Sequence, residues 1–515
     1  MEETGVAAFA RRTPTKPALV DGQRIVSFAD LNRRMNQLAS ALRTLGIGAG
    51  DRIALALRNR VEWFEVAGAA SRAGVTVVPV SWRSMHDEVA YLVEDSGSLA
   101  VFAEADATDV MAGLPAVFLG QQYEEMLDAE DGEPLAMSTD RPLIGFRYYT
   151  SGTTGRPKAI EGELPTGEEL EVLRRAFMPP VTAAQPGADG IRPLGRGQTE
   201  GLEDGDEVHL LVGPAYHTAP GTFASRALQY GQTVVVMPHF DAEECLRLIE
   251  RHRVTWSHMV PINFVRILKL PDAVRLHYDL SSVRRILHAA APCPVEVKRS
   301  VMELFPTGSI YEYYGATEGL ATVCPSDEWE RKPGSVGRAA PGVEVRVFDD
   351  HGEPLPPGEV GTVYFSPMMR FAYASAPEKT QAAWRGEFFT AGDMGYVDGD
   401  GYLFLTDRKI DMIISGGANV YPAEVEAVLI AHPAVMDVAV FGVPDPEWGE
   451  RVHAMVELGT AAGTDDLLQF CRQRLAHYKC PTTVQVVERL PRDPNGKIRK
   501  RVLRAPYWEG APRQI

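Results

Sequence analysis

The sequence predicts a large α/β protein with a smaller α+β domain at its C-terminal end, and three observations support this fold class. The chain has 515 residues, which is more than one ordinary hydrophobic core accommodates. Its first part alternates apolar strand-like runs with amphipathic helical segments, a pattern typical of βαβ units around a mostly parallel sheet. Near residue 408 the composition changes and a mixed pattern of helices and strands follows. We therefore predict an N-terminal domain over 1–407 and a C-terminal domain over 408–515.

Composition and charge narrow the class of protein. With 45% hydrophobic and 23% charged residues the chain is typical of globular proteins, and a net charge of −17 argues against a nucleic-acid partner or an anionic membrane surface. The five cysteines form no C-x-x-C pair, which predicts a reducing compartment and no structural zinc site. The start MEETGVAAFARR lacks the apolar core of a signal peptide, and no apolar run reaches the ~20 residues of a membrane span. We expect a cytoplasmic protein without a membrane span.

The first 145 residues have the pattern of a scaffold. Ser27 and Asp30 resemble a capping box ahead of apolar residues at helical spacing, and Gly46 and Gly48 end that helix. The next segments predict a strand, a helix and two strands: Arg52–Leu57, Val61–Ala73, Val75–Val80 and Leu99–Phe102. None of these residues points to catalysis.

The stretch YYTSGTTGRPKA, at 148–159, has the composition of a phosphate-binding loop. Its glycines permit the positive φ angles with which backbone N–H groups surround a phosphate chain, and Lys158 adds a positive charge. The spacing G-x-x-x-x-G-K-S/T of the common nucleotide P-loop is absent. A flexible linker is the alternative, but a linker needs neither two tyrosines before the glycines nor Arg-Pro-Lys after them.

Residues 161–207 are rich in glycine, proline and charge, with one helical piece predicted at Glu168–Phe177. This composition fits a surface excursion that covers a pocket as a lid, and equally a disordered insertion. The alternation of strands and helices resumes after it, with predicted segments Val208–Gly213, Thr233–Met237, Ala242–Arg251, Val254–His258, Val283–His288 and Ser309–Tyr313.

Three of these strands end in residues that suit a ligand site, because ligands of such sheets bind at the carboxyl ends of strands. His217 follows the first strand, although a lone histidine is more often structural. The segments HAAAPCP and YYGATEG lie at the ends of two other predicted strands, and their small residues let a planar ring approach the backbone closely. Tyr314 can cover one face of that ring. Glu318 stands between Gly315 and Gly319, and a carboxylate beside a triphosphate is the oxygen ligand that Mg²⁺ prefers. In isolation it is an ordinary loop charge.

Residues 334–406 are punctuated by glycines, and strands such as Val343–Phe348 and Gly361–Phe365 predict a β-rich subdomain. We place the domain boundary at Asp407–Ile410. Beyond it the pattern predicts helix, strand, strand, helix and strand at Pro422–Ala431, Ala434–Val443, Arg451–Leu458, Asp465–Leu475 and Thr483–Val487. Near the end, a Pro-Asn-Gly turn presents Lys497 at its edge.

Seven motifs occur along the chain in the order YTSGTTGRPK, YHT, YYGATE, TAGD, DRKIDMIISGG, YPAEVE and NGK. Together they resemble the adenylate-forming superfamily, which includes acyl-CoA synthetases, luciferases and peptide-synthetase adenylation domains, over nearly the whole chain. The details are most similar to actinobacterial-type ligases that join fatty or steroid side-chain acids to CoA. The resemblance implies ATP, Mg²⁺ and CoA as cofactors, and a mobile C-terminal domain that rotates about a hinge near Arg408.

The resemblance also implies two half-reactions. The carboxylate of an acid attacks the α-phosphorus of ATP and displaces pyrophosphate, and a thiol then attacks the acyl-adenylate. Both reactants of the first step are anionic, so its barrier is largely electrostatic and positional. The implied catalytic residues are His217, Thr317, Glu318 and Lys497, with Glu318 as the Mg²⁺ ligand. The implied ATP- or AMP-binding residues are Thr150, Ser151, Gly152, Thr153, Thr154, Gly155, Lys158, Ala291, Tyr314, Gly315, Ala316, Thr317, Asp393, Arg408 and Lys497. The implied CoA-binding residues are Ser415, Gly416, Gly417, Trp448, Tyr478 and Lys479.

Several of these roles are specific. By resemblance, Asp393 and Arg408 hold the ribose, Tyr314 covers the adenine and His217 lines the acyl pocket. A short acid suits the ribose, since its two oxygens can each accept one hydroxyl.

The sequence departs from the family pattern at three places. Ala159 replaces the glycine that usually follows the loop lysine, and Ile410 occupies the position of the usual hinge lysine or aspartate. Lys409 or Asp411 is the alternative hinge residue. The segment 162–205 does not follow the common pattern, and we expect it to reshape the acyl or nucleotide entrance.

Three functions compete on this sequence. The first is an acid–CoA ligase, with a bulky hydrophobic acid preferred to an aryl acid. The second is an acyl-AMP ligase that loads a carrier protein, against which the intact Gly416-Gly417 pair argues. The third is a nucleotide-binding or regulatory protein without catalysis, against which the intact Glu318, Asp393, Arg408 and Lys497 argue. A homodimer is one assembly considered, although the sequence does not specify the oligomeric state.

Overall fold

The computed structural model describes residues 5–134, 145–150, 157–162, 206–317, 319–367, 370–374, 376–408, 410–492 and 498–509. The helix predicted at Glu168–Phe177, nearly all of the segment 162–205 and the turn that carries Lys497 lie outside these ranges. Among the described residues, no helix combines the length and apolar character needed to cross a membrane.

The helices of the described ranges include those that the sequence predicts there and several that it did not indicate, such as Val6–Arg12 and Thr218–Gln229. They are α1 Val6–Arg12, α2 Phe28–Thr44, α3 Val61–Ala73, α4 His86–Ser96, α5 Gln121–Asp128, α6 Thr218–Gln229, α7 Ala242–His252, α8 Pro261–Leu268, α9 Asp272–Arg275, α10 Val295–Leu304, α11 Ser326–Arg331, α12 Pro377–Ala383, α13 Pro422–Ile430, α14 Thr464–Arg472 and α15 Lys500–Trp508.

The strands lie between them. The first group is β1 Pro17–Asp21, β2 Arg24–Ser27, β3 Arg52–Ala56, β4 Thr76–Pro79, β5 Val101–Ala103, β6 Ala116–Phe118, β7 Tyr149–Thr150, β8 Lys158–Gly162, β9 Val208–Leu211, β10 Thr233–Val236, β11 Trp256–Met259 and β12 Arg285–His288. The second group is β13 Ile310–Ala316, β14 Gly319–Cys324, β15 Arg338–Ala339, β16 Val345–Phe348, β17 Gly361–Phe365, β18 Phe371–Tyr373, β19 Trp384–Arg385, β20 Phe388–Phe389, β21 Asp393–Val397, β22 Leu403–Arg408, β23 Ile413–Ser415, β24 Ala418–Val420, β25 Val435–Asp445, β26 Gly449–Leu458 and β27 Thr483–Val487.

Contacts along the chain divide it into two units. The first unit comprises Met1–Met259, His277–Leu287 and Met369–Thr380, and the second comprises Val260–Leu276, His288–Met368 and Gln381–Ile515. This division does not test the domain boundary at 407/408, which stays a prediction.

The first unit contains the parallel sheets that the sequence predicts. Strands β4, β3, β5 and β6 are neighbours in that order and pair in parallel. In a second sheet β11, β9, β10 and β1 are parallel neighbours, and β2 adds an antiparallel edge. Parallel strands are joined by crossover helices, so apolar residues of the strands are covered on both faces.

Local sequence signals set the helix ends of this unit. The hydroxyl of Ser27 accepts a hydrogen bond from the Asp30 backbone N–H at 3.1 Å and caps α2. Helix α3 has the predicted bounds and ends at Gly74, whose φ of 72° places it in the left-handed region that a C-terminal cap requires. These two predictions are confirmed.

The second unit is built from antiparallel sheets and a C-terminal α+β portion. Strands β13, β14 and β15 are neighbours in one sheet, and β17 pairs with β16, β20 and β21 in another, which β22 extends. In the C-terminal portion the order is β24, β23, β26 and β25, with β27 parallel to β26. Helix α13 packs on β25.

One predicted element continues further than the sequence indicated. The strand predicted at Ser309–Tyr313 runs on to Ala316, so Tyr314, Gly315 and Ala316 lie on β13 and not in a loop after it. The reason is β14, which folds back along β13 and pairs Ala316 with Gly319. At Gly315 a Cβ atom would lie 2.4 Å from the Gly319 carbonyl oxygen, so only glycine fits there.

Candidate active site

Three side chains of the second unit meet near the ends of β13, β21 and β22. Asp393 is the first residue of β21 and pairs in register with Arg408, the last residue of β22. The phenol of Tyr314 donates to Asp393 Oδ2 at 2.7 Å, and Arg408 Nε lies 3.4 Å from Asp393 Oδ1. The structure thus brings together three residues that the sequence analysis assigned to the nucleotide.

Burial and charge set the protonation state of this cluster. Burial raises the pKa of Tyr314 well above its ordinary value, and the charge of Asp393 raises it further. The phenol therefore keeps its proton and remains a hydrogen-bond donor. The side chain of Arg408 is less buried than that of Asp393, because 45% of it is exposed. Its guanidinium can reach a ligand while its backbone is held by the strand.

The phosphate-loop motif connects two paired strands of the first unit. Strands β7 and β8 are antiparallel, with Tyr149 opposite Ala159 and Thr150 opposite Lys158. The loop residues Ser151, Gly152, Thr153, Thr154 and Gly155, and the side chain of Thr150, lie outside the described residues. Ala159 is buried within this ladder, so the methyl group in place of the usual glycine is accommodated.

The two tyrosines before the loop have partners of their own. The hydroxyl of Tyr148 lies 3.3 Å from Thr222 Oγ1 on α6, and the hydroxyl of Tyr149 donates to Asp95 Oδ2 at 2.7 Å. Each tyrosine ties the strand that leads into the loop to a neighbouring helix. These contacts fix the position of the residues that precede the motif's glycines.

His217 stands immediately before α6. Its backbone carbonyl accepts a hydrogen bond from the Gly221 N–H at 3.0 Å, so it closes the first helical turn. Its half-buried ring lies 4.8 Å from the ring of Tyr216, measured between centroids. On β11, burial lowers the pKa of His258 to about 3, and the charge of His217 lowers it further. His258 is therefore a neutral neighbour of His217 at any physiological pH.

The small residues near His217 serve packing. A Cβ atom at Gly221 would lie 2.1 Å from the Ala215 carbonyl oxygen and 3.3 Å from the ring of Trp63. Only glycine therefore fits at this position, because its Cα faces the backbone of Ala215. The glycine lets α6 approach the strand-end loop closely.

The HAAAPCP segment of the second unit contains a strained residue. Ala290 has a φ of 75°, a left-handed conformation that costs a non-glycine residue about 1–3 kcal/mol. Its neighbour Ala289 is buried, whereas Ala291 is exposed. The backbone turn thus presents Ala291, an assigned nucleotide residue, toward the surface.

The expected Mg²⁺ ligand Glu318 lies outside the described residues. Its neighbours are described: Ala316 on β13 pairs with Gly319 on β14. Thr317 is exposed. Within the described ranges no group of three or more His, Cys, Asp or Glu side chains could hold a metal ion.

Three of the residues assigned to CoA, Ser415, Gly416 and Gly417, lie at a turn beside the exposed indole of Trp448. Gly416 and Gly417 connect β23 to β24 with φ angles of 57° and 79°, and Ser415 pairs with Ala418. The Gly416 N–H donates to the Trp448 carbonyl oxygen at 2.8 Å, and a Cβ atom at Gly416 would lie 2.4 Å from the Trp448 ring. The ring therefore lies against bare backbone while Trp448 as a whole remains 54% exposed.

The last two CoA assignments lie in a 3-10 turn, His477–Lys479. Tyr478 is 52% exposed. Lys479 instead has both oxygens of Glu424 at 2.7 Å from its Nζ, and this hydrogen bonding raises the pKa of the lysine. A ligand that uses Lys479 must compete with Glu424.

A buried ion pair lies beside Tyr314, and the sequence analysis did not identify it. Lys298 Nζ on α10 donates to Glu312 Oε2 at 2.5 Å, and both side chains are nearly inaccessible, at 0% and 7% exposed. One signal was present, since Glu312 alternates with Ile310 and Tyr314 on β13 and must share their buried face. Nothing in the sequence indicated that Lys298 is its partner.

Comparison with known families defines the class of protein. The profile of the AMP-binding enzyme family matches residues 6–369, and the profile of the AMP-binding enzyme C-terminal domain matches residues 424–497. The chain belongs to the AMP-binding enzyme family and is an AMP-forming acid–thiol ligase. The resemblance to the adenylate-forming superfamily and the predicted fold class are confirmed.

Individual relatives match along their full length. The chain is 32% identical to a fatty acid–acyl-carrier-protein ligase of Streptomyces coeruleorubidus, covering 98% of this chain and 96% of the relative. It is 34% identical to a long-chain-fatty-acid–CoA ligase of Mycobacterium tuberculosis, covering 95% and 94%. Among solved structures, the o-succinylbenzoate CoA synthetase of Bacillus subtilis, in complex with its acyl-adenylate intermediate, matches with a TM-score of 0.79 at 27% identity, covering 97% of each chain.

Proposed function

We propose that this ligase activates a bulky hydrophobic carboxylic acid, a fatty or steroid side-chain acid, and transfers it to CoA. The acid carboxylate attacks the α-phosphorus of ATP, so that a P–O bond forms to the acid and the bond to pyrophosphate breaks. The CoA thiol then attacks the acyl carbon, loses its proton, and AMP leaves. The observation that carries the proposal is the cluster of Tyr314, Asp393 and Arg408.

This cluster has the chemistry of a ribose site. Each carboxylate oxygen of Asp393 can accept two hydrogen bonds, so the contacts from Tyr314 and Arg408 leave one acceptor position on each oxygen. Two ribose hydroxyls, one per oxygen, would fill these positions. The exposed guanidinium of Arg408 would lie beside the same sugar, and the buried ring of Tyr314 would bound the adenine.

The first half-reaction brings two anions together, so its residues must supply positive charge. Lys158 stands opposite Thr150 at the base of the phosphate loop, where its ammonium can reach phosphates held by the loop N–H groups. Lys497 would bring a second positive charge to the reacting carboxylate and α-phosphate, and Thr317 would bind the α-phosphate. Mg²⁺, held by Glu318, supplies further neutralisation of the phosphate charge when bound.

The second half-reaction would use the turn at Gly416 and Gly417. Two consecutive glycines without side chains allow the thin pantetheine chain to pass against backbone. The indole of Trp448, packed on Gly416 and exposed on its other face, offers a stacking surface. Tyr478 and Lys479 would contribute contacts at the periphery.

The acid is the open part of the proposal. His217 would line the acyl pocket, with the neutral His258 near it. Relatives named as fatty-acid ligases support a fatty acid, and the neighbour named o-succinylbenzoate CoA synthetase supports an aryl acid as the second candidate. The relative named as an acyl-carrier-protein ligase supports a carrier protein as the second candidate acceptor.

The test is pyrophosphate release with ATP and Mg²⁺ over a panel of fatty, steroid side-chain and aryl acids, with and without CoA. We expect release to require an acid, with acyl-CoA formed from fatty or steroid acids. Release with transfer only to a phosphopantetheinyl carrier protein would replace CoA as the acceptor. Release only with aryl acids would replace the substrate class, and no release with any acid would refute the proposal.

A variant tests the assignment of Lys497. We expect Lys497→Ala to lose most acid-dependent pyrophosphate release, because the variant lacks one positive charge that would stabilise the two reacting anions. Thioester formation from preformed acyl-adenylate should be largely retained. Exposed Arg501, four residues further on, provides the matched control Arg501→Ala. Equal loss of both half-reactions in Lys497→Ala would contradict the assignment.

A further inference from the structure

The C-terminal helix α15 begins three residues after Lys497 and is attached at two points by buried charges. Lys500, its first residue, forms an ion pair with Glu426 of α13 at 2.8 Å, and only 19% of the lysine side chain is exposed. One turn later, Arg504 forms an ion pair with Glu450 of β26 at 2.8 Å, with 16% of its side chain exposed. Residues four apart share one helix face, so both cations point from α15 into the same unit.

The ion pair of Lys500 with Glu426 connects α15 to α13, which is in turn bonded to Asp407, the neighbour of Arg408. Asp407 accepts hydrogen bonds from the Arg408 N–H at 2.7 Å and the Ala423 N–H at 2.8 Å, so it joins the end of β22 to the first turn of α13. Burial lowers the pKa of Lys500, but the carboxylates of Glu426, Asp407 and Asp411 raise it by more. The ammonium is therefore the cation of a buried acidic cluster that includes the residue beside Arg408.

The attachment through Arg504 leads to the glycine turn. The second oxygen of Glu450 accepts a hydrogen bond from the Ile414 N–H at 3.1 Å, and Ile414 lies on β23, directly before Ser415. Trp508, at the end of the same helix, donates from Nε1 to the Gly442 carbonyl oxygen at 3.1 Å. This end of α15 therefore contacts β25 directly and is connected to β23, the strand that leads into the glycine turn, through Glu450.

The start of the helix is also tied to the segment that carries Lys497. Arg492 and Ile498 form a β-bridge, and the Arg499 N–H donates to the Pro491 carbonyl oxygen at 2.8 Å. Residues 491–492 and 498–499, which flank Lys497 in the sequence, therefore pair with each other immediately beside Lys500.

We propose that Lys500 and Arg504 are positioning residues with separate duties: Lys500 places the Lys497 segment relative to Arg408, and Arg504 places the Ser415–Gly417 turn. Neither residue contacts reacting atoms in this assignment. The proposal rests on the proposed function, because it concerns the two half-reactions of that function. It differs from simple stabilisation, which would affect both half-reactions alike.

The experiment compares Lys500→Met, Lys500→Arg, Arg504→Met and the exposed control Arg501→Met in the full-length enzyme. The acid is the one from the panel that gives the fastest wild-type release of pyrophosphate. We expect Lys500→Met to lower the kcat of pyrophosphate release by at least tenfold while thioester formation from synthetic acyl-adenylate stays within twofold. Lys500→Arg, which keeps the charge, should recover release to within threefold of wild type.

The Arg504 variant gives the opposite pattern. We expect Arg504→Met to raise the KM for CoA at least fivefold, with acid-dependent pyrophosphate release within twofold of wild type and of Arg501→Met. If Lys500→Met does not fold, Glu426→Gln replaces it, because that change weakens the same ion pair without emptying the site.

The outcomes separate this inference from the proposed function. Wild-type enzyme that releases no pyrophosphate with any acid refutes the proposed function. Active wild-type enzyme with Lys500→Met unchanged, or with both half-reactions reduced equally in both variants, overturns the positioning roles and leaves the proposed function standing.

Discussion

Replacing Lys298 with methionine removes the ammonium that donates to Glu312 without leaving a large cavity, while the imidazole of His288 stays 3.8 Å from the same carboxylate oxygen. The ammonium is 0% exposed and lies 2.5 Å from Glu312 Oε2, so solvent cannot take its place. The ammonium also lies 4.8 Å from the ring centroid of Trp329. Methionine fills a similar volume and largely preserves the packing against this ring. The variant therefore tests the effect of leaving a buried carboxylate without its ammonium partner.

The expected loss of unfolding free energy is about 3–5 kcal/mol, since breaking a buried ion pair by removing one partner leaves an uncompensated charge. The double variant Lys298→Met/Glu312→Leu should recover most of it, because two apolar side chains of similar volume need no compensation. Burial already raises the pKa of Glu312 despite Lys298. A raised carboxyl pKa favours folding at low pH, so the deficit of Lys298→Met should shrink as the pH falls toward the ordinary carboxyl value.

Urea denaturation, followed by tryptophan fluorescence and by loss of pyrophosphate release, measures the change. The matched control is Lys332→Met, which removes an ion pair with Asp398 at the surface of the same unit and should cost much less. A Lys298→Met variant no less stable than Lys332→Met would refute the reasoning. A double variant as unstable as the sum of its single changes would refute it equally, because the coupling would then be absent.

Three further predictions follow from the site and from buried histidines. Asp393→Asn should raise the KM for ATP about tenfold or more in a steady-state assay, because a hydrogen bond to a charged group contributes about 1.5–3 kcal/mol; an unchanged KM would remove its ribose role. Gly416→Ala should raise the KM for CoA with pyrophosphate release intact, since its Cβ would meet the indole at 2.4 Å, whereas Gly399→Ala has nothing within 4 Å and should behave as wild type. Burial lowers the pKa of His209 from 6.5 to about 3 and that of His453 from 6.5 to about 4. Below pH 6.5 these histidines therefore bind protons in the unfolded chain but not in the folded protein, so stability decreases as the pH is lowered. The urea concentration at the unfolding midpoint should decrease as the pH is lowered from 6.5 to 4, and it should decrease less in His209→Gln or His453→Gln.

Much of the fold was predictable because its signals are local. The bounds of Val61–Ala73 and Thr483–Val487 match the structure, since helical periodicity with a glycine stop and a short β-branched run are each contained within a few residues. The end of β13 was not predictable in this way. It depends on β14 folding back to supply hydrogen-bond partners, and a pattern of small residues does not specify a partner strand.

The residues of the candidate site also differ in whether the sequence indicated them. The family resemblance pointed to Asp393, Arg408 and Tyr314 one by one, and the structure added that the tyrosine phenol and the guanidinium share one carboxylate. Lys500 carried no signal, because a lysine near the end of a chain is ordinarily solvated. Its role became visible only when its partner Glu426 was known.

By itself, the sequence determined the order of strands and helices, the kinds of chemistry available and the resemblance that the family comparison confirmed. These follow from residue types and spacings that act over one or two turns of chain. Tertiary structure alone decided which distant side chains meet: Lys298 with Glu312, Lys500 with Glu426, and Arg504 with Glu450. The physical reason is that a buried charge is tolerated only beside its partner, and the packing of separate elements, not their local sequence, puts the two within reach.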